Sequence, residues 1–193
     1  MKKVLKLLAL GISVSSPAIA APVQWTAASG GNNHWYDLVT GTTWIGWLAA
    51  YSAATGSTYA GMSGYLASIT SPTEDVFVSA LNPNGLDAWL GGSDSVTEGT
   101  WTWTTGEAWS YTHWNPNEPN NSGNEDYLAG WQNRGAWNDC TESCYNGLVS
   151  SYVVEYSPTT SAVPLPAAFT LMLAGLGALG LAGRRKKSET GKA

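Results

Sequence analysis

From Trp25 onward, apolar and polar positions alternate in short runs broken by Gly, Asn and Pro. The run His34 to Val39, bounded by Gly30-Gly31-Asn32-Asn33, predicts a strand. Trp44, Trp47, Leu48 and Tyr51 recur at helical spacing and predict a helix through Ala53, capped by Thr42 or Thr43. Gly56 to Gly64 reads as a loop, and Tyr65 to Ile69 alternates as a strand. Ser71-Pro72-Thr73-Glu74 has the form of a capping box with Pro at the first helical position, opening a helix to about Leu81. Short strands are predicted at Trp89-Leu90, Trp101-Thr102-Trp103, Tyr127 to Trp131 and Tyr152 to Tyr156, with a long polar loop among them. Two helices followed by strands predict an α+β domain. A long loop dense in Trp, Glu and Asn is of the functional kind.

The two ends follow different patterns. Lys2, Lys3 and Lys6, then the apolar stretch Val4 to Val14 and the small-residue site Ala18-Ile19-Ala20, predict a secretory signal peptide over residues 1–20. The mature chain would start near Ala21 and enter an oxidising compartment. At the other end, Val163-Pro164-Leu165-Pro166 precedes an uncharged apolar run, Ala167 to Ala182, and the cluster Arg184-Arg185-Lys186-Lys187. This segment, 163–193, resembles the PEP-CTERM sorting signal of Gram-negative bacteria, with Leu165 in place of the usual Glu. The resemblance implies processing by an exosortase-type sorting enzyme and membrane association, transient or permanent, through residues 163–187. A single-span transmembrane tail anchor is the alternative. Residues 157–162 read as a short linker, which leaves residues 21–156 as one domain.

Charge sharpens the picture. The chain has 9 Lys and Arg against 14 Asp and Glu. Between residues 7 and 183, Arg134 stands alone against 13 acids, a net of −12. Such a surface repels phosphates, so nucleic acid is excluded as a partner. Abundant Trp excludes disorder, and two Cys exclude a disulfide-dense scaffold.

The acids fall in short clusters interleaved with amides: Glu118-Pro119-Asn120-Asn121, Glu125-Asp126 and Trp137-Asn138-Asp139, with Asp94 and Glu98 upstream. Hard cations such as Ca²⁺ take six to eight oxygen ligands of these types. The same residues also suit ordinary turns. The order and spacing of Trp89-Leu90-Gly91-Gly92, Gly99-Thr100-Trp101-Thr102-Trp103, Trp114, Glu118-Pro119-Asn120, Glu125-Asp126 and Trp137-Asn138-Asp139 resemble a C-type lectin-like domain. His34-Trp35-Tyr36, Thr43-Trp44, Gly64 to Ile69 and Glu74 extend the resemblance over roughly residues 25–156.

The resemblance implies an α+β fold of two helices, small antiparallel sheets and a long calcium-binding loop. It implies a Ca²⁺ site formed by Glu118, Asn120, Glu125, Asn138 and Asp139, with a cis bond before Pro119. An auxiliary site maps to Asp94, Glu98, Asn121, Glu125 and Asp126. Glu-Pro-Asn implies mannose-type recognition, in which two vicinal sugar hydroxyls complete the metal shell. Glu118 and Glu125 would accept from those hydroxyls, and Asn120 and Asn138 would donate to them.

Here the cysteines depart from the family pattern, leaving only Cys140 and Cys144. In an exported chain they suit a local disulfide. A zinc pair would need His34 or His113, neither at ligand spacing. Trp89, Trp101, Trp103 and Trp137 are expected in the core, while Trp109, Trp114 and Trp131 could meet a ligand. His34 and His113 are expected to be ordinary hydrogen-bonding residues, and Arg134 to pair with an acid or stay solvated. No catalytic residue stands out. The expected protein is an exported, calcium-dependent lectin of the cell surface or extracellular matrix, binding mannose-, glucose- or fucose-type glycans. A calcium-stabilised adhesin for surface or matrix polymers, and a glycoside hydrolase, are the alternatives.

Overall fold

A computed structural model describes residues 21–131 and 136–158. The expected signal peptide, the sorting segment and Arg134 lie outside these residues.

The chain runs β1 (Val23–Gln24), a 3₁₀ turn (Ala27–Ser29), β2 (Trp35–Thr40), α1 (Trp47–Thr55), β3 (Thr58–Tyr59), β4 (Met62–Leu66), α2 (Pro72–Ala80), β5 (Ala88–Ser93), β6 (Thr102–Trp103), β7 (Tyr127–Gly130), β8 (Asn138–Cys140), α3 (Cys144–Gly147) and β9 (Ser151–Tyr156). The α+β expectation holds. The strands join along one path, β1-β2-β9-β5-β7-β8, with β3–β4 and β6 attached to its side. Among the described residues every pairing of these strands is antiparallel except β5 with β9, where Ala88 faces Ser151 and Trp89 faces Tyr152.

The central strands β5 and β9 are buried on both faces, which explains their near-continuous apolar sequence. Side chains of a strand alternate between faces. Ala88, Leu90 and Val153 therefore join one core with Trp25, Tyr36, Val78, Trp103 and Trp137. Trp89, Val154 and Tyr156 join a second core with Trp47, Ala50, Ala54 and Leu66. Helix α2 closes the first core and α1 the second. Gly91 is needed where β5 passes β4: a Cβ there would stand 2.5 Å from the Leu66 carbonyl.

Three local expectations change. The first helix starts at Trp47 rather than near Trp44, with Gly46 at its N-cap and no side-chain cap. Its buried positions are Trp47, Ala50 and Ala54, while Trp44, Leu48 and Tyr51 face outward. Two indole hydrogen bonds decide this: Trp47 Nε1 donates to the Leu90 carbonyl and Trp89 Nε1 to the Ile45 carbonyl, each at 2.8 Å. Second, Gly56–Gly64 contains a hairpin, with Thr58 facing Ser63 and Tyr59 facing Met62, turned at Ala60-Gly61 in left-handed conformations. Third, the second strand ends at Leu66, so Ala67, Ser68 and Ile69 are buried outside regular structure.

The Ser71 half of the capping box forms at α2, and its Glu74 half reaches one residue further back. Ser71 Oγ accepts from Glu74 N at 3.2 Å, while the Glu74 carboxylate turns back to Thr70, taking its N–H at 2.7 Å and its hydroxyl at 2.8 Å. No helix among the described residues is long and apolar enough to cross a membrane. The expected transmembrane stretch, 167–182, falls outside them.

Candidate functional site

Between β6 and β7 the chain crosses Thr104 to Asp126 without regular secondary structure. Tryptophan holds this loop in place. Trp101, Trp103, Trp109, Trp114 and Trp137 form one aromatic cluster with centroid separations from 4.4 to 6.2 Å. Backbone bonds flank Trp137: its N–H donates to the His113 carbonyl at 2.6 Å, and its carbonyl accepts from Asn115 N at 2.8 Å. Trp89, Trp101, Trp103, Trp131 and Trp137 are buried, and Trp109 and Trp114 pack against the core half-buried.

The tip of the loop is shaped by residues that tolerate left-handed backbone. Asn117, Asn121, Asn124 and Gly123 all have positive φ. The Glu118–Pro119 bond is cis. The chain then lays two backbone N–H groups across β8: Asn120 N donates to Asp139 Oδ1 at 3.2 Å and Asn121 N to Asp139 Oδ2 at 2.7 Å. Asp139 itself is buried. A second layer closes the turn. Ser122 N donates to Asn120 Oδ1 at 2.8 Å and to Glu125 Oε2 at 2.9 Å, while Glu125 N donates to Asn121 Oδ1 at 2.7 Å.

Glu118, Asn120, Glu125 and Asp139 are thus brought together. Burial pushes the Glu118 carboxyl above its ordinary value; its contact with Asp139 and the charges of Asp139 and Glu125 push the same way, opposed by a hydrogen bond from Asn120. Burial and Asp139 raise Glu125 as well, against the Ser122 N–H. Glu118 Oε2 is buried with no hydrogen-bond partner. Asn138 adjoins this group, but its amide nitrogen donates to the Asp139 carbonyl at 2.5 Å.

The upstream acids divide. Asp94 is buried, takes Gly99 N on Oδ2 at 2.9 Å and leaves Oδ1 without a partner. Burial raises its carboxyl, opposed by the Gly99 N–H, and Asp126 and Asp139 add repulsion. Asp126 binds Asn124 Nδ2 at 2.8 Å, and its carbonyl accepts from Asp94 N at 3.2 Å. Glu98 is exposed and makes no side-chain hydrogen bond among the described residues. Asp94 and Asp126 therefore lie side by side through this backbone bond, and Glu98 stands apart, exposed to solvent.

The donor set is entirely oxygen, from carboxylates, amides and carbonyls, and it lacks any compensating cation: the described residues contain no Lys or Arg. Two buried carboxylate oxygens without donors, on Glu118 and Asp94, fit a hard divalent cation better than any soft metal. Among the described residues no three His, Cys, Asp or Glu side chains are gathered closely enough to hold a metal ion by themselves. Cys140 and Cys144 are joined as a disulfide with Cα atoms 4.9 Å apart, tying β8 to α3.

Sequence reading missed two buried acid networks. Asp75 takes His113 Nδ1 at 2.5 Å and Tyr111 OH at 3.0 Å on Oδ2, and Trp131 Nε1 at 2.9 Å on Oδ1. Glu155 takes His34 Nδ1 at 2.5 Å and Ser68 N at 3.0 Å, and Tyr36 OH lies between Glu155 and Glu74. The available signal was an acid inside an apolar frame, as in Val153-Val154-Glu155-Tyr156. Both histidines are hydrogen-bonding residues, as expected.

Comparison with known proteins follows the same lines. The model of the lectin C-type domain matches residues 57–153, and that of the PEP-CTERM protein-sorting motif matches residues 162–186. The sorting motif implies export and a cell-surface route. Ladderlectin of Oncorhynchus mykiss is 34% identical over 96 residues, covering 46% of this chain and 50% of its own. Halomucin of Haloquadratum walsbyi is 34% identical over 117 residues, covering 56% of this chain and 1% of its own. The chain thus spans half or less of the length of these curated relatives. Among solved structures, the cow C-type carbohydrate-recognition domain of CD23, determined in the presence of a GlcNAc2Man3 oligosaccharide, superposes with a TM-score of 0.58 at 25% identity. That superposition covers 75% of this chain and 98% of the other.

Proposed function

This chain belongs to the C-type lectin domain family, and from that premise we propose that it is an exported, calcium-dependent receptor for mannose-type glycans, displayed at or released from a bacterial surface. C-type lectin domains generally bind Ca²⁺. The observation that carries the reading is the buried, donorless Oε2 of Glu118, set beside Asp139 and Glu125 in a domain whose described residues hold no Lys or Arg.

Glu118, Asn120, Glu125, Asn138 and Asp139 would hold the cation. The bound ion supplies a positive centre on which two vicinal sugar hydroxyls can seat. The chain's own part is to present hydrogen-bond partners in a fixed fork. Glu118 and Glu125 have acceptor oxygens only, and the Asn120 and Asn138 amides offer donors; each hydroxyl can then donate to a carboxylate and accept from an amide. For Asn138 this requires its amide to leave the Asp139 carbonyl. Asp94 and Asp126 would support an auxiliary ion that braces the loop. Binding per site is expected to be weak, with avidity from surface display.

A glycan array probed with and without EGTA tests this. Binding to mannose-, glucose- or fucose-type glycans that disappears in EGTA and in the Glu118→Gln variant is expected. Calcium-independent binding, or none to these glycans, overturns it and leaves an adhesin for other polymers.

A further inference from the structure

Residues 38–73 carry no ionisable acid or base other than tyrosine, although the surrounding domain carries 13 acids. This stretch includes all of α1, whose outward face is apolar. Leu48 is 54% exposed and Tyr51 is exposed as well. Trp44, just before the helix and 54% exposed, lies over Gly147, where a Cβ would stand 3.3 Å from its ring. Next to Gly147, Leu148 is 75% exposed. Trp44, Leu48, Tyr51 and Leu148 thus form an uncharged apolar patch, bordered at the helix start by Glu142, which packs against Gly46. Packing does not require it, because Trp47, Ala50 and Ala54 already seat the helix.

Helices with aromatic and leucine side chains on an exposed face are suited to the water–lipid boundary. Where the chain leaves the domain points the same way. Ser157 and Pro158, the last described residues, border the same cavity as Tyr51 and Thr55 of α1. The sequence that follows leads into the sorting motif at 162–186. The C-terminal end of α1, with the patch residue Tyr51, therefore borders the point where the chain leaves the domain. An acidic domain held at a membrane should turn its charges away, and α1 itself carries none, with Glu142 at its start and Glu107 across the cavity at its end.

We propose that the Trp44–Leu48–Tyr51–Leu148 face is a lipid-contacting surface that rests on the bilayer while the C-terminal segment remains attached. The inference rests on the membrane association read for residues 163–187.

The test uses the chain from Ala21 to Ala193, reconstituted into phosphatidylcholine vesicles. An environment-sensitive fluorophore is placed on Leu48→Cys and, as a control, on Val96→Cys, which is 94% exposed beside Asp94. The Leu48 label is expected to shift to the blue and to be quenched by spin-labelled lipid, while the Val96 label reports water. The double variant Trp44→Glu/Leu148→Glu should leave vesicle association intact and return the Leu48 label to water. A chain that floats with the vesicles while its Leu48 label stays aqueous overturns the surface but not the anchor. A chain that does not associate with vesicles overturns both. A Leu48 label already dry in detergent, with doubled mass in light scattering, assigns the face to a second copy and also overturns the proposal.

Discussion

The backbone N–H of Asn121 donates to Asp139 Oδ2 at 2.7 Å, joining the tip of an irregular loop to the sheet strand β8. Asn120 N reaches the other oxygen of the same carboxylate. One buried acid therefore has two tasks: it positions the Glu-Pro-Asn turn through its amides, and it supplies negative charge to the proposed cation site. Asp139→Ala removes both. Losing the hydrogen bonds of a buried charged group costs about 2–3 kcal/mol, to be measured by urea denaturation. Calcium binding, measured by calorimetry, should vanish in the same variant.

Glu118, Glu125 and Asp94 are all raised above their ordinary values, chiefly by burial. A carboxyl raised in the folded state holds its proton more tightly there than in the unfolded chain. Without calcium, the fold should therefore gain stability as pH falls through these raised values toward the ordinary carboxylate range. Calcium reverses the sign, because only the ionised forms ligate. Thermal unfolding with EGTA and with calcium should show the calcium-induced rise in Tm at neutral pH and its decline in mild acid.

His34 and Glu155 form a second pH-dependent pair. The hydrogen bond to Glu155 raises His34, against the opposing effect of burial, and burial raises Glu155 despite His34. Both shifts mean that the folded state retains the proton more tightly. The stabilising contribution of His34 is complete below its unfolded value of 6.5 and is lost as pH rises through its higher folded value. His34→Gln should flatten the decline in Tm above pH 6.5 in calcium-free buffer.

Asp75 gathers donors from the long loop and beyond: Tyr111, His113 and Trp131. Asp75→Ala leaves those donors to water or to none, and the buried Trp131 N–H cannot reach solvent. A loss of roughly 3 kcal/mol is expected from urea unfolding. Hydrogen exchange should localise the loosening to residues 111–114 rather than to β5 and β9.

Legibility in the sequence followed the range of the forces involved. The α2 helix was readable because its start depends on Ser71, Pro72 and Glu74, all within one turn. Strand β9 was readable from its β-branched and aromatic run Tyr152-Val153-Val154, although the buried Glu155 beside it was not. The first helix was misplaced because Trp44, Leu48 and Tyr51 have helical spacing yet do not face the core. The indoles of Trp47 and Trp89 find their carbonyl partners more than 40 positions away in sequence. Burial was no more legible: Glu98 and Asp94 are four positions apart, yet the first side chain is exposed and the second buried.

By itself the sequence determined the class of the domain, the sorting motif that follows it, and the acids and amides available to the loop. Residue type alone sets charge, hardness of ligand and hydrophobicity, and no folding is needed to count them. Only the tertiary structure decided which acids share a space. It placed Asp139 beneath Asn120 and Asn121, set Glu118 within reach of Asp139, left the Glu98 side chain exposed, and paired Asp75 and Glu155 with histidines. Carboxylates acquire raised proton affinities and orphaned oxygens only when burial removes water from them, and burial is a property of packed neighbours rather than of adjacent residues.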